Sequence, residues 1–319
     1  MPLEPRVTQT NLSLDTIVLF VSDMVASRSF YEHALGLRAL APHAANPHVA
    51  MYSAGHVQLC LLPAAEHGIA LQDGPDRSAD ITFMVDNFAR CHEVLAARGV
   101  QFSRTLEYSI GTTADFYDPD GHWFSLYQPS ETAMGWPSGP KLQALASGLP
   151  MRHFRPVSPV DAAPEVDDLA DAFIAYVFLF FSDPDVAARF YGGVLELDIV
   201  EGGPCRRIPT RAPVGVVKYD VGTTMLTTHH VESDDKRFRV ATAGTGGVAF
   251  AFQVAHLTTA VSALSRRGII FSGWPSESYI GLLERFLDPA GHVLLLREPT
   301  QEGEGSVVTG IPANAAAGS

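Results

Sequence analysis

Residues 14–37 read LDTIVLFVSDMVASRSFYEHALGL, and residues 174–197 read IAYVFLFFSDPDVAARFYGGVLEL. The two stretches keep register: Phe30-Tyr31 falls on Phe190-Tyr191, and Leu35 falls on Leu195. A second pair follows the same rule. Residues 107–128, EYSIGTTADFYDPDGHWFSLYQ, are answered by residues 277–298, ESYIGLLERFLDPAGHVLLLRE. Here Asp118-Pro119 matches Asp288-Pro289, and His122 matches His292. A repeat of this size fixes domain count and symmetry before any propensity is read. It implies two copies of one fold rather than a solenoid.

Each copy spells strand, helix, three strands, and does so twice. Asp15 to Val21 is a β-branched apolar run and predicts a strand. Ser22 and Asp23 offer helix caps, and Gly36 offers a left-handed stop. Short strands are expected at 38–41, 49–53 and 57–62, with Ala54-Gly55 as a turn. After a polar loop over 66–77 the order repeats: a strand at 81–85, a helix from the Asp86-Asn87 cap to Arg98, and strands at 100–103, 112–117 and 123–127. Asp118-Pro119-Asp120-Gly121 is a tight turn, since Pro presets φ and Gly accepts φ > 0. The expected division is 1–130 for the first domain, 131–171 for a linker, 172–300 for the second domain and 301–319 for a disordered tail. The linker is read as ordered, because Met134, Trp136, Leu142 and Leu145 want burial.

Composition narrows the function. The chain has 319 residues, 46% hydrophobic and 18% charged, with a formal net charge of −13. That balance argues against nucleic-acid or anionic-membrane partners, which need clustered Lys and Arg. Three scattered cysteines, Cys60, Cys91 and Cys205, suit a reducing cytoplasm better than a disulfide framework. The start, MPLEPRVTQTN, lacks the apolar run of a signal peptide, and no stretch is long and apolar enough to span a bilayer. The expected setting is cytoplasmic.

A strand ending in VSD, a helix containing FYEHALGL and a hairpin built on DPDGHWFSL resemble the vicinal oxygen chelate superfamily. That group includes glyoxalase I, extradiol dioxygenases, methylmalonyl-CoA epimerase and the fosfomycin and bleomycin resistance proteins. The resemblance implies an α+β fold in which four βαβββ modules form two tandem glyoxalase-like domains, with curled mixed sheets around concave clefts. In metal-using members, His, Gln or Glu side chains on these strands hold a divalent ion for Lewis-acid or dioxygen chemistry.

The positions implied for those ligands are substituted here. The first-strand His falls at Thr16 and Tyr176, its counterpart in the next module at Asp80 and Ala249, and the last-strand Glu at Ser125 and Leu295. Hydroxyls are poor ligands for Zn²⁺ or Fe²⁺, and Ala and Leu cannot ligate. No cofactor is therefore expected at the usual place, although a divalent metal held elsewhere stays open. His229-His230 is one such place, with only one of the two rings able to face the cleft. His122 and His292 suit a role in their turns.

Strand alternation gives the expected cleft lining. In the first copy it is Thr16, Val18 and Phe20; Gln58 and Cys60; Asp80, Thr82 and Met84; and Trp123, Ser125 and Tyr127. In the second copy it includes Tyr176, Phe178, Gln253 and Arg297. Trp123 and Tyr127 can stack on a planar ligand, and Arg297 can meet an anionic group. Asp80, a carboxyl on an apolar wall, is the candidate general base, with pairing to Arg77 or capping of the loop at the strand start as the alternative.

Two functions remain open. One is a metal-free binding protein of the bleomycin-resistance type that traps a small hydrophobic or aromatic molecule. The other is a lyase, isomerase or ring-cleaving dioxygenase with a rearranged metal site or Asp80 as a metal-free base. A tandem chain can satisfy module pairing internally, so monomer and homodimer are both compatible.

Overall fold

The computed structural model describes residues 12–40, 46–147, 168–170, 172–202, 215–232, 247–272 and 276–299. The expected tail, Cys205, most of the linker and the side chain of Glu277 lie outside the described residues. Among the described residues no helix is long and apolar enough to cross a membrane.

The first module runs β1 (Ser13–Val21), α1 (Met24–Ser29), β2 (Arg38–Ala39), β3 (Ala50–Ala54) and β4 (Val57–Pro63). The second runs β5 (Asp76–Met84), α2 (Phe88–Ala97), β6 (Phe102–Tyr108), β7 (Gly111–Tyr117) and β8 (His122–Pro129). Two short helices follow, α3 (Glu131–Met134) and α4 (Gly139–Ser147). The third module is β9 (Phe173–Phe181), α5 (Pro184–Ala188), β10 (Asp198–Gly202), β11 (Val216–Asp220) and β12 (Met225–His230). The fourth is β13 (Val248–Gln253), α6 (Leu257–Arg266), β14 (Ser276–Ser278), β15 (Gly281–Leu287) and β16 (Val293–Glu298). Four βαβββ modules in an α+β arrangement are what the repeat implies.

Local chemistry explains the boundaries. Asp23 accepts backbone bonds from Val25 and Ala26, Asp183 does so from Asp185 and Val186, and Asn87 accepts from Arg90. A π-helical turn extends α1 over Phe30–Ala34 and α5 over Arg189–Val194. β5 begins five residues earlier than the apolar pattern suggests, at Asp76 rather than Ile81. Its polar start is buried because Asp76 Oδ1 binds the Ser78 amide at 3.0 Å and the Ser78 hydroxyl at 2.7 Å.

The modules pair across the repeat. The first sheet runs β14-β15-β16-β13-β1-β4-β3-β2, and the second runs β10-β11-β12-β9-β5-β8-β7-β6. Within a module the first strand lies parallel to the last, as β1 to β4 and β5 to β8. Its free edge is closed by an antiparallel first strand from the other copy: β1 takes β13, and β5 takes β9. This pairing removes edges that would otherwise stay open to association. Each cleft is therefore built from both copies, and the lining expected for the first copy divides between two sheets.

The convex faces share one apolar cluster that includes Ile17, Leu19, Ile81, Phe83, Val177, Leu179, Phe250 and Phe252. The concave faces carry separate clusters, Val18, Phe20, Met51 and Leu295 on the first sheet and Met84, Phe173, Tyr176 and Met225 on the second. Two buried clamps cross between the sheets. Asp118 takes the Tyr31 hydroxyl at 2.7 Å and His122 Nδ1 at 2.8 Å, and His122 Nε2 reaches the Gly247 carbonyl at 3.0 Å. Asp288 takes Tyr191 at 2.8 Å and His292 Nδ1 at 2.7 Å, and His292 Nε2 reaches the Ser78 carbonyl at 3.0 Å. The turn histidines thus serve their turns and also join the sheets.

The linker residues expected to be buried form a strap. Leu142, Leu145 and Ala146 of α4 pack on Met84, Tyr176 and Met225, covering one end of the second cleft. Lys218 fixes the strap: its ammonium lies 5.4 Å from the Trp136 ring centre, 5.3 Å from that of Tyr176, and 3.0 Å from Glu201. Glu201 also accepts from the Ser138 amide and hydroxyl, at 3.1 and 2.6 Å.

Candidate functional site

Asp80 and Thr82 stand on β5, at the centre of the second sheet. Asp80 faces Trp123 on one neighbour and Phe178 on the other, while Thr82 faces Ser125 and Tyr176. The concave face of this sheet therefore brings together Asp80, Thr82, Trp123, Ser125, Tyr127, Tyr176 and Phe178. Aromatic rings form its walls. Trp123 stacks on Phe180 at 5.6 Å with 19° between planes, and Tyr176 meets Phe178 at 5.6 Å and Tyr127 at 6.1 Å.

Thr16, Phe20, Gln58, Gln253 and Arg297 lie on the other sheet and do not reach this group. Thr16 is opposite Gln58 and Ala251, so the expected meeting of Thr16 with Asp80 and Ser125 does not occur. Arg297 is not offered to a ligand: Asp15 holds its Nη1, and its Nε donates to the Ile280 carbonyl at 2.5 Å. Gln253 is exposed at the end of β13. Burial pushes the Cys60 thiol up to about 12, which leaves it unreactive at neutral pH.

The polar centre of the second cleft is a chain of four side chains. Ser125 Oγ lies 3.0 Å from Asp80 Oδ2 and 3.1 Å from Asp115 Oδ1. Arg104 binds the far oxygen of Asp115 through Nε at 2.8 Å and Nη2 at 2.6 Å. A serine hydroxyl has one hydrogen to give. Both contacts are satisfied together only when Ser125 donates to Asp115 and a protonated Asp80 donates to Ser125. The electrostatics agree: burial, reinforced by the charge of Asp115, pushes the Asp80 carboxyl up to about 8. Asp80 does not pair with Arg77, which bonds to Tyr117. Asp80 Oδ1, Thr82 Oγ1 and Thr227 Oγ1 are buried and none meets hydrogen-bond geometry with a partner among the described residues, although Thr82 lies near enough to Asp80 to hold its pKa down.

These side chains do not suit a chelated transition metal. Asp80 faces Trp123 and Phe178, its nearest polar neighbours are Ser125 and Thr82, and the second carboxylate, Asp115, is taken by Arg104. In the first sheet the facing positions are Thr16, Gln58, Ala251 and Leu295. Among the described residues no three His, Cys, Asp or Glu side chains are grouped to hold an ion. His229 does turn to the second cleft, with its ring 5.8 Å from Phe180, but it stands one alternation beyond Thr227 and two strands from Asp80.

Asp115 and Arg104 escape sequence reasoning, because the metal positions of the resemblance draw attention to β5 and β8 alone. A signal exists in the repeat: Asp115 matches Arg285, so both copies place a charged residue on an inward position of a largely apolar strand.

The chain matches the family described as Glyoxalase/Bleomycin resistance protein/Dioxygenase superfamily over residues 13–126 and 173–296. Curated protein sequences give no match. Among solved structures it is similar to glyoxalase I from Zea mays, at 14% identity and TM-score 0.59, covering 90% of this chain and 92% of that one. It is also similar to a putative dioxygenase from Bacillus subtilis subsp. subtilis str. 168, at 15% identity and TM-score 0.57, covering 95% and 92%. At these identities the structural likeness speaks for the fold alone. With a family match over most of both repeats and the paired-module architecture, the chain belongs to the Glyoxalase/Bleomycin resistance protein/Dioxygenase superfamily.

Proposed function

We propose that this protein binds a small aromatic or hydrophobic molecule in the cleft of the second sheet, without a metal, and that protonated Asp80 is its polar anchor. The observation that carries this reading is the single Ser125 hydrogen between two carboxyl groups. It leaves Asp80 as the carboxylic acid, with its other oxygen unpartnered beside Trp123 and Phe178. An apolar cavity with a few fixed polar groups is the usual make-up of a ligand site. Aromatic contacts add about 0.5–1.5 kcal/mol each beyond area burial. A planar ligand carrying a hydroxyl or N–H suits this chemistry, because the acid's one hydrogen is taken by Ser125 and its other oxygen accepts.

Calorimetric titration with a phenol such as 4-methylphenol tests the reading. Binding is expected to tighten as pH rises through about 8, where Asp80 loses its proton and becomes the stronger acceptor for the ligand hydroxyl. Asp80→Ala should weaken it roughly tenfold, the loss of one buried hydrogen bond. Equal binding by wild type and Asp80→Ala, or no saturable binding, defeats it.

A second reading makes the same carboxyl an acid–base catalyst, since a group that titrates near 8 is suited to proton transfer near neutral pH. The ionised carboxyl would take a proton from the carbon beside the carbonyl of a bound aryl ketone such as acetophenone and return it. Acceleration of hydrogen–deuterium exchange at that carbon by wild type, absent in Asp80→Asn, distinguishes catalysis from binding alone.

A further inference from the structure

The first sheet has a cleft of opposite polarity. At the repeat positions of Asp80, Ser125 and Asp115 it carries Ala249, Leu295 and Arg285. The acid pair is gone and a guanidinium stands in its place. Leu282 and Phe286 of β15 turn to the convex core, whereas Leu283 joins the concave cluster, so Arg285 shares the concave side with Leu283 and faces Leu295. Arg285 is half-buried, and no carboxylate among the described residues shifts its pKa. Burial depresses its pKa, and no charge among the described residues offsets it.

A second polar group looks into the same cleft from the opposite end. His67 sits on the short helical turn after β4, its ring 5.7 Å from that of Phe20. It is 8% exposed, yet neither ring nitrogen has a hydrogen-bond partner among the described residues. Burial lowers its pKa, so at neutral pH it is an uncharged imidazole with one donor and one acceptor to give. Buried polar atoms are almost always satisfied, and exceptions need an explanation. Between the two groups runs one continuous apolar wall that includes Val18, Met51, Ala251 and Leu295, with Ile69 and Leu71 against it. Arg285 is three strands away from the strand of Phe20, roughly 14 Å across a flat sheet.

We propose that this concave face is a separate binding site for an elongated, largely apolar carboxylate, with the carboxylate on Arg285 and a hydroxyl or carbonyl near its far end on His67. A guanidinium takes a carboxylate in bidentate fashion, and Ala249 and Ala251 are small side chains at the centre of the apolar wall along which the chain would lie. The site is independent of the Asp80 cleft, since the two faces lie on different sheets.

Calorimetric titration of the full chain with decanoate, ω-hydroxydecanoate and decanol tests this. Expected are saturable binding of both carboxylates, tighter for the hydroxylated one, and binding of decanol at least tenfold weaker. Arg285→Gln should lose at least tenfold for decanoate and leave decanol unchanged, while Arg285→Lys, which keeps the charge but not the fork, falls between wild type and that variant. His67→Phe should abolish the advantage of the hydroxyl. Thermal melts confirm that each variant is folded. The proposal is overturned if wild type binds neither carboxylate, if Arg285→Gln binds decanoate as wild type does, or if decanol matches decanoate. It is equally overturned if Asp80→Asn removes carboxylate binding, which would place the probe in the other cleft.

Discussion

His122 and His292 occupy reciprocal positions: the first leaves the second sheet to bond Gly247 of the first, and the second leaves the first sheet to bond Ser78 of the second. In each case both ring nitrogens meet acceptors, a carboxylate and a carbonyl. An imidazole can serve two acceptors only when doubly protonated. Burial alone would lower each histidine, but Asp118 and Asp288 outweigh it and the pKa of each rises above the ordinary 6.5.

Stability should therefore follow pH with a definite sign. A raised histidine pKa contributes stability that is complete below about 6.5 and is lost as pH climbs through the higher folded value. Burial tends to raise Asp118, yet His122 draws it below its ordinary value, so its contribution is kept near neutral and lost in strong acid. His122→Ala removes one partner of a buried pair and should cost about 3–5 kcal/mol. Denaturant melts between pH 6 and 9 check both points: the alkaline fall in stability should shrink in the variant. An unchanged profile would show that the ring is neutral.

Asp80→Asn has the opposite consequence. A carboxyl titrating near 8 in the fold and near 3.8 when unfolded resists ionisation, so wild-type stability should decline as pH rises from about 4 to 8 and level off beyond. Asparagine keeps a donor for Ser125 and carries no charge. The variant should match wild type in acid and exceed it at pH 8 by a few kcal/mol, since each tenfold difference in proton affinity between fold and unfolded chain is worth about 1.4 kcal/mol. Chemical unfolding at pH 5 and pH 8 gives the comparison, and equal gains at both would reject the assignment.

Arg104→Leu should strip Asp115 of its counter-ion while Asp115 stays buried. Loss of one member of a buried pair costs about 3–5 kcal/mol, and the partial exposure of Arg104 places this case at the lower end. The Asp80 pKa should move further up, because Arg104 is one of the groups that holds it down. Carbon-13 shifts of the Asp80 carboxyl against pH would report the move.

Gly36 and Glu196 fill matching places with φ of 76° and 57°. In the first copy Arg98 bonds Asp168 at 2.9 Å, and a Cβ on Gly36 would lie 2.3 Å from that carboxylate. In the second copy the matching Arg267 bonds Glu196 itself at 2.7 Å. Gly36→Ala should destabilise by more than the roughly 1–2 kcal/mol of a left-handed residue, through the added clash. Glu196→Gly should be near neutral, because relief of that strain offsets loss of a partly exposed ion pair worth about 0–1 kcal/mol. Thermal melts of both variants decide it.

Much of this architecture is legible in the residues. The caps at Asp23 and Asn87, the left-handed Gly36 and the DPDG turn each act through a backbone bond that local sequence encodes. Alternation correctly sets Asp80, Ser125 and Trp123 on one face. What alternation cannot encode is which strand lies alongside. The edge of β1 accepts any well-matched apolar strand, and the choice of β13 is made by the whole fold. Alternation alone therefore gives Thr16 the wrong neighbours. Arg104 is illegible for a similar reason: its strand is half exposed, and only the buried Asp115 opposite gives it a task.

The exchange of modules has a consequence for how such a chain can be divided. Neither repeat contains a finished sheet, and the seams at β1–β13 and β5–β9 join residues far apart in sequence. Two polypeptides cut between the repeats would each present a naked ladder shaped for the other. Mixed together, they should knit into the intact molecule with no peptide bond between them.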